Sequence, residues 1–255
     1  MLRSIKQIKG YALGAKDGRI GHVQEFYFDD HEWTLRYLVA LAGNWLTGRL
    51  VLLSPHVVRK PLDGGKMIPI DLTREQIRKS PSPETDRPVS REFEMDYYKY
   101  FGWPYYWSGP YLWGPTPFPV LPPAAQESDL EDQARASGSG IVPKGNPHLR
   151  STEEVTGYHI RARDGEIGHV EDFLFDDRSW TIRYLVVETR NWWPGKRVLI
   201  PPAWISEIHW EDRTVETQAI REEILRAPTF EPGNPITAAL EEKLERYYET
   251  SLHGV

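Results

Sequence analysis

The sequence predicts a mainly β fold: two small barrels in tandem, each followed by short C-terminal helices, the pair related by a pseudo-twofold. Three observations carry this expectation. The first is a duplication. The segment GYALGAKDGRIGHVQEFYFDDHEWTLRYLV, starting at Gly10, returns at Gly157 as GYHIRARDGEIGHVEDFLFDDRSWTIRYLV, an offset of 147 residues. From Gly10 to Pro55, 25 of 46 positions are identical without a gap. Solenoid repeats are ~20–50 residues long and need at least three copies, so two copies at this distance mean two domains. The second observation is alternation. Trp33 to Val39 places apolar residues at every other position, the mark of a half-buried strand. The third is the turn chemistry. Asp17-Gly18 and Asp164-Gly165 sit between strand-like runs, and an Asp-Gly pair readily takes the positive φ angles of a tight hairpin.

The elements follow in order. Arg19 to Phe28 reads as a strand ending in the turn Asp29-Asp30, and Trp33 to Val39 reads as its partner. A third long strand runs from Arg49 to Leu53 before Pro55, and short strands around Val57-Val58 and Met67–Ile70 bring the number to about six. Six short antiparallel strands cannot bury both faces in one flat layer, so they are expected to curl into a barrel and remove their edges. Thr73 is placed to cap a helix from Arg74 to Lys79 that Pro81 stops, and Ser90 to cap one from Arg91 to Phe101. Thr237 takes the Ser90 position before Ala238 to Tyr248. Phe93, Tyr97 and Tyr100, and in the second copy Leu240, Leu244 and Tyr247, fall on one helical face. The domains expected are 1–101 and 152–255, joined by 102–151.

Composition excludes several function classes. With no cysteine in 255 residues there is no disulfide scaffold, no thiolate metal site and no cysteine nucleophile. A net charge of −6 argues against a nucleic-acid partner, because phosphate contacts need clustered Lys and Arg. No apolar run approaches the ~18 residues of a membrane-spanning helix. The opening MLRSIKQIKGY lacks the apolar core of a secretory signal, so the expected compartment is the cytoplasm. Charge separates the copies: residues 10–101 carry 13 basic and 13 acidic residues, whereas 157–248 carry 12 and 17. The two are therefore expected to face different surroundings.

Residues 102–123 form an aromatic–proline strap in which seven of 22 residues are aromatic and seven are proline. Proline blocks helix and ladder bonding, so an extended polyproline-like path is expected. Two fates are open for its rings: internal packing against the barrels, or a surface for a protein partner or membrane interface. Residues 124–150 turn polar and Gly/Ser-bearing, as a linker.

No P-loop, G-x-S-x-G, HExxH or Gly-rich strand–helix motif occurs. His22 and His169 hold equivalent positions but lack a second ligand at HxxH or HxxxH spacing, and Asp29-Asp30 and Asp176-Asp177 read as turn residues. Catalytic residues, cofactor sites and metal sites are therefore all assigned as none, and the chain is expected not to be an enzyme. Arg36 and Arg183, inside strands, are either clamps for a partner carboxylate or stems lying along the barrel and paired with an acid. Trp45 and Trp192, in the loop before the third strand, are either contact anchors or barrel plugs; Trp193 replaces Leu46 beside the latter. The candidate partner-binding residues are Arg36, Trp45, Trp103, Tyr105, Tyr106, Trp107, Trp113, Arg183, Trp192 and Trp193.

The pattern G-x-x-[LI]-x-[AV]-x-D-G-x-I-G-x-V-x-[DE]-F-x-F-D-D followed by W-x-[LI]-R-Y-L-V, present twice, resembles the PRC-barrel family. That family includes the cytoplasmic domain of the photosynthetic reaction-centre H subunit and the C-terminal domain of the ribosome-maturation factor RimM. The resemblance implies a small barrel that works through protein contacts, with no catalytic residues to carry over. The sequence lacks the membrane helix that precedes the barrel of the H subunit, and it has a second barrel where RimM has a different domain. The expected role is a cytoplasmic protein-interaction adaptor, an assembly or stress factor, with protein partners. The alternatives are a peripheral accessory of a photosynthetic or electron-transport membrane complex and a ribosome-assembly factor.

Overall fold

The computed structural model describes residues 1–43, 46, 48–59, 65–83, 89–121, 149–189, 195–234 and 236–252. They form two mainly β units. The first comprises Met1, Gln7–Thr152 and Asp176–Thr181, and the second Leu2–Lys6, Glu153–Phe175 and Ile182–Val255. The chain opens on β1 (Leu2–Ser4), which is part of the second unit.

In the first unit, β2 (Ala12–Ala15), β3 (Gly18–Asp29), β4 (Thr34–Ala42), β5 (Leu50–Leu53) and β6 (Met67–Pro69) form one sheet in the order β5–β4–β3–β2–β6. At twelve residues, β3 is long enough to take two partners. Its first half pairs with β2 and its last three residues pair with β7 (Leu149–Ser151), while β4 runs along it from Gly21 to Asp29. The β2–β6 pair is parallel rather than antiparallel as expected, because the connection between them is long enough to return the chain in the same direction. Val57 lies in a 3-10 turn, Pro55–Val57, and Val58 makes a single bridge to Ile70. Irregularities in the β3–β4 register between Val23 and Glu25 and between Tyr27 and Phe28 add local twist.

The hairpins use their Asp-Gly pairs differently from expectation. Only the glycines lie at positive φ, 149° at Gly18 and 134° at Gly165. The aspartates turn outward: Asp17 Oδ1 accepts the Arg74 N–H (2.8 Å) and Asp164 Oδ1 accepts the Arg221 N–H (2.7 Å). Each hairpin thus holds the start of a helix. In the first unit this is α1 (Arg74–Lys79), capped by Thr73 with a reciprocal bond from the Thr73 N–H to the Gln76 side chain. Ser90 caps α2 (Arg91–Phe101), and Gly102, left-handed at φ 66°, ends it.

The second unit repeats the plan with β8 (His159–Ala162), β9 (Gly165–Asp176), β10 (Ile182–Thr189), β11 (Lys196–Ile200), β12 (Ile205–His209) and β13 (Thr214–Thr217). The order is β11–β10–β9–β8–β13–β12, with β1 on β9. The Ser4 hydroxyl donates to Asp172 Oδ2, and Asp172 Oδ1 accepts the Lys6 N–H at 3.0 Å. Burial pushes the Asp172 carboxyl above the usual aspartate range. In the first unit the Ser151 hydroxyl donates to Glu25, the residue equivalent to Asp172. The tripeptide Leu-Arg-Ser at 2–4 and 149–151 extends the 147-residue offset upstream of Gly10, a signal missed in the sequence. The unit closes with α3 (Arg221–Arg226) and α4 (Ala238–Leu252).

An equivalent glycine in the long strand of each unit is fixed by a close backbone approach. A Cβ on Gly21 would stand 1.9 Å from the Leu41 carbonyl oxygen, and one on Gly168 would stand 1.9 Å from that of Glu188. Neither sheet can yield there without breaking the pairing of its longest strands. Gly21→Ala and Gly168→Ala are each expected to cost at least about 3 kcal/mol, measured as a fall in the urea midpoint.

Candidate functional site: the strap and its anchors

The strap carries half of the candidate contact residues. It does not follow a polyproline path. Turns close at Tyr105–Ser108, Tyr111–Gly114 and Trp113–Thr116, each by a backbone hydrogen bond of 3.1 Å. The bend needs glycine: Gly114 sits at φ 74°, and a Cβ on Gly109 would meet the Gly114 oxygen at 2.2 Å. The turns fold the rings back into the first unit, so that Trp103, Tyr105, Tyr106 and Trp113 are buried and Trp107 is half-buried. Trp103 stacks on Phe101 at 4.4 Å and Tyr105 on Trp107 at 4.7 Å.

Arg36 is the centre of this packing. Only 2 % of it is exposed. Its guanidinium lies 3.9 Å from the Tyr106 ring centre and 5.0 Å from that of Trp113. It donates to the Leu112 carbonyl at 2.6 Å and stands 3.6 Å from Asp29 Oδ2. A buried cation is tolerated here because two ring faces, a carbonyl and a carboxylate replace its water. Beside it, the fully buried Glu94 accepts hydrogen bonds from the Tyr37 hydroxyl (3.1 Å), the Tyr106 hydroxyl (3.0 Å) and Arg91 (3.1 Å). Burial, reinforced by the Glu94 carboxylate, drives the Tyr37 and Tyr106 phenols far above their ordinary range. Both stay protonated donors.

The strap also explains why α2 buries a different face from the one expected. Glu94, Tyr97 and Tyr98 point inward, whereas Tyr100 is 40 % exposed. The expected face, Phe93–Tyr97–Tyr100, takes account of the sheet alone; the strap covers a second side of the helix and moves the buried face toward Glu94 and Tyr98. The Tyr97 hydroxyl donates to the Leu52 carbonyl at 3.1 Å. In the second unit Leu244 replaces Tyr97 and Tyr248 replaces Phe101, and the Tyr248 hydroxyl donates to Leu199, the equivalent carbonyl. The hydroxyl has moved one helical turn and serves the same acceptor.

His56 fastens the far end of the strap. Its Nδ1–H donates to the Val120 carbonyl at 2.7 Å, and its ring meets those of Tyr98, Trp103 and Trp113. Its Nε2 is buried without a hydrogen-bond partner. Burial, with the nearby Arg36 charge adding and the Val120 bond opposing, lowers its pKa from 6.5 to about 4. Sequence reasoning missed His56, Arg91 and Glu94. Their equivalents in the second copy are Ala203, Ala238 and Glu241, so the two lost side chains stood as a signal of a role peculiar to the first.

In the second unit the equivalent of Arg36 is a different residue physically. Arg183 is 51 % exposed and stands 3.8 Å from Glu245, a surface pair worth little. Trp45, Trp192 and Trp193 lie outside the described residues. A groove of about 670 Å³ opens elsewhere on this unit, lined by the buried Trp204 and by Arg161, Arg163, Glu216 and Gln218.

The acid pairs and histidines behave as structural groups. Asp29, Asp30 and His31 bring ligand-type atoms within 4.8 Å of one another. Asp29 Oδ1, however, accepts the N–H groups of His31 and Glu32, and Asp30 pairs with Arg150 at 2.9 Å. Arg36 and Arg150 already neutralise the two carboxylates, and the arrangement is that of a turn. His169 Nε2 lies 3.3 Å from Glu188 within its own sheet, and His22 pairs across β2 and β4 with Ala12 and Leu41.

Among the described residues no helix is long and apolar enough to cross a membrane. No curated protein matches the chain. The first repeat lies outside the stretch that a family model recognises. Residues 150–224, the body of the second sheet, match the model of the PRC-barrel domain, and this is the family to which that stretch of the chain is assigned.

Proposed function

We propose that this protein is a non-catalytic adaptor that recognises other proteins through two small β-barrels. The observation that carries the reading is the PRC-barrel match over residues 150–224, which speaks for an interaction or accessory role in general. The strap supplies a contact surface of suitable kind. Its buried rings hold it in place, while Tyr111, Phe118, Val120 and Leu121 remain 54 %, 39 %, 50 % and 48 % exposed. Large apolar side chains held outward by a fixed segment lose little freedom on binding, which favours a protein partner.

The test is crosslinking mass spectrometry of the tagged full chain in its own cell, repeated with Tyr111→Ser/Phe118→Ser. Loss of one reproducible protein partner at an unchanged melting temperature supports the reading. An unchanged set of crosslinks counts against the strap as contact surface, and recovery with membranes or ribosomal subunits redirects the role to one of the alternatives.

A further inference from the structure

We propose that the second unit binds a phosphate-class dianion in a pocket formed by Lys196, Arg226 and Lys243. The cavity measures about 460 Å³ and is also lined by Thr229 and Tyr247. Lys196 comes from β11, Arg226 from the end of α3 and Lys243 from α4. Three separate elements therefore bring cations to one hollow, although residues 157–248 as a whole carry five more acidic than basic residues.

The duplication supplies an internal comparison. Arg49 in the first unit donates to the carbonyls of Arg78 (3.1 Å) and Ser80 (2.9 Å). Lys196 donates to the equivalent carbonyls of Leu225 (2.6 Å) and Ala227 (2.8 Å). Both cations thus satisfy orphan carbonyls at a helix C-terminus. Lys79 and Arg226 are equivalent as well, and each pairs with an acid one turn earlier, Glu75 and Glu222. The difference is at the third position, where Asp96 of the first copy is Lys243 in the second. Glu75 also pairs with Arg78, whose equivalent is Leu225, so with Glu75 and Asp96 the first group holds three cations and two carboxylates, a charge of +1. With Glu222 alone the second has three cations and one carboxylate, a charge of +2 that complements a dianion. Burial and then the Lys243 charge lower the Lys196 pKa, so the two ammonium groups repel across a space that a dianion would fill.

The experiment titrates the full chain at low ionic strength with inorganic phosphate and, separately, glycerol phosphate, and follows backbone amides by NMR. Saturable shifts at Thr229, Lys243 and Tyr247 are expected, with binding weakened at least 10-fold in Lys243→Asp, the residue of the first copy. Tighter binding of inorganic phosphate identifies the free ion, and tighter binding of the ester identifies a phosphate group on a larger ligand; either supports the site. The proposal is overturned if shifts do not saturate, if potassium chloride of equal ionic strength reproduces them, or if Lys243→Asp leaves them intact.

Discussion

Arg36→Ala is expected to destabilise the first unit by about 3–5 kcal/mol, whereas Arg183→Ala, its equivalent 147 residues on, changes stability by no more than about 0.5 kcal/mol. The two arginines occupy the same place in the same motif, so the contrast isolates environment from sequence. Removing Arg36 leaves Asp29 facing a void where a guanidinium stood and strips the Leu112 carbonyl of its donor. It also separates the Tyr106 and Trp113 rings from the plane packed between them. Removing Arg183 releases a half-exposed surface pair. Arg36→Lys recovers only part of the loss, because an ammonium cannot stack flat on a ring. Urea titrations read by tryptophan emission measure this, since Trp103, Trp107 and Trp113 lie in the first unit and Trp204 and Trp210 in the second. Equal losses for the two alanine variants would contradict this account of Arg36.

Acidification should loosen the strap before it unfolds the rest. The folded pKa of His56, about 4, lies below the 6.5 of the unfolded chain. Between those values the unfolded state binds the extra proton, so stability rises with pH. The contribution is complete above about pH 6.5 and is lost as pH falls toward 4, by ~1.4 kcal/mol per unit and ~3 kcal/mol in all. The chemistry agrees with the sign. A proton on Nε2 would put charge on a buried nitrogen that has no acceptor, among the rings of Tyr98, Trp103 and Trp113. His56→Gln keeps a donor for the Val120 carbonyl and cannot titrate. The expected result is a flatter pH dependence between 7 and 4.5 for the variant than for the wild type, in urea midpoints read by tryptophan emission. Parallel curves would show that His56 does not set this dependence.

Much of the secondary structure was legible because it is local. Alternation marked β3 and β4, Thr73 and Ser90 marked helix starts, and the Asp-Gly pairs marked hairpins. What local pattern does not encode is which segments cover which faces. The parallel β2–β6 pair joins segments far apart in the sequence. The buried face of α2 depends on a strap that comes after it. Arg36 and Arg183 share a motif, yet one is core and the other is surface, because only the first has Tyr106 and Trp113 laid over it. The aspartates of the two hairpins reach helix starts 57 residues away, a distance no turn rule reports. The strap composition left open whether its side chains pack inward or face outward, and they divide residue by residue: Trp103 and Trp113 are buried, Tyr111 and Leu121 exposed.

Hydrogen–deuterium exchange of the full chain tests the strap most directly. Trp103, Tyr111, Trp113 and Gly114 each donate a backbone N–H to a specific carbonyl, those of Tyr98, Gly114, Thr116 and Tyr111. With the Trp113 ring laid over Arg36 and the rings of Trp103 and Trp113 packed on His56, these amides should be protected to within about tenfold of those in β4 at pH 7, and lose that protection first as pH falls toward 4. Exchange of the four amides at the rate of an unstructured peptide, while β4 stays protected, would mean that the strap is not part of the first unit.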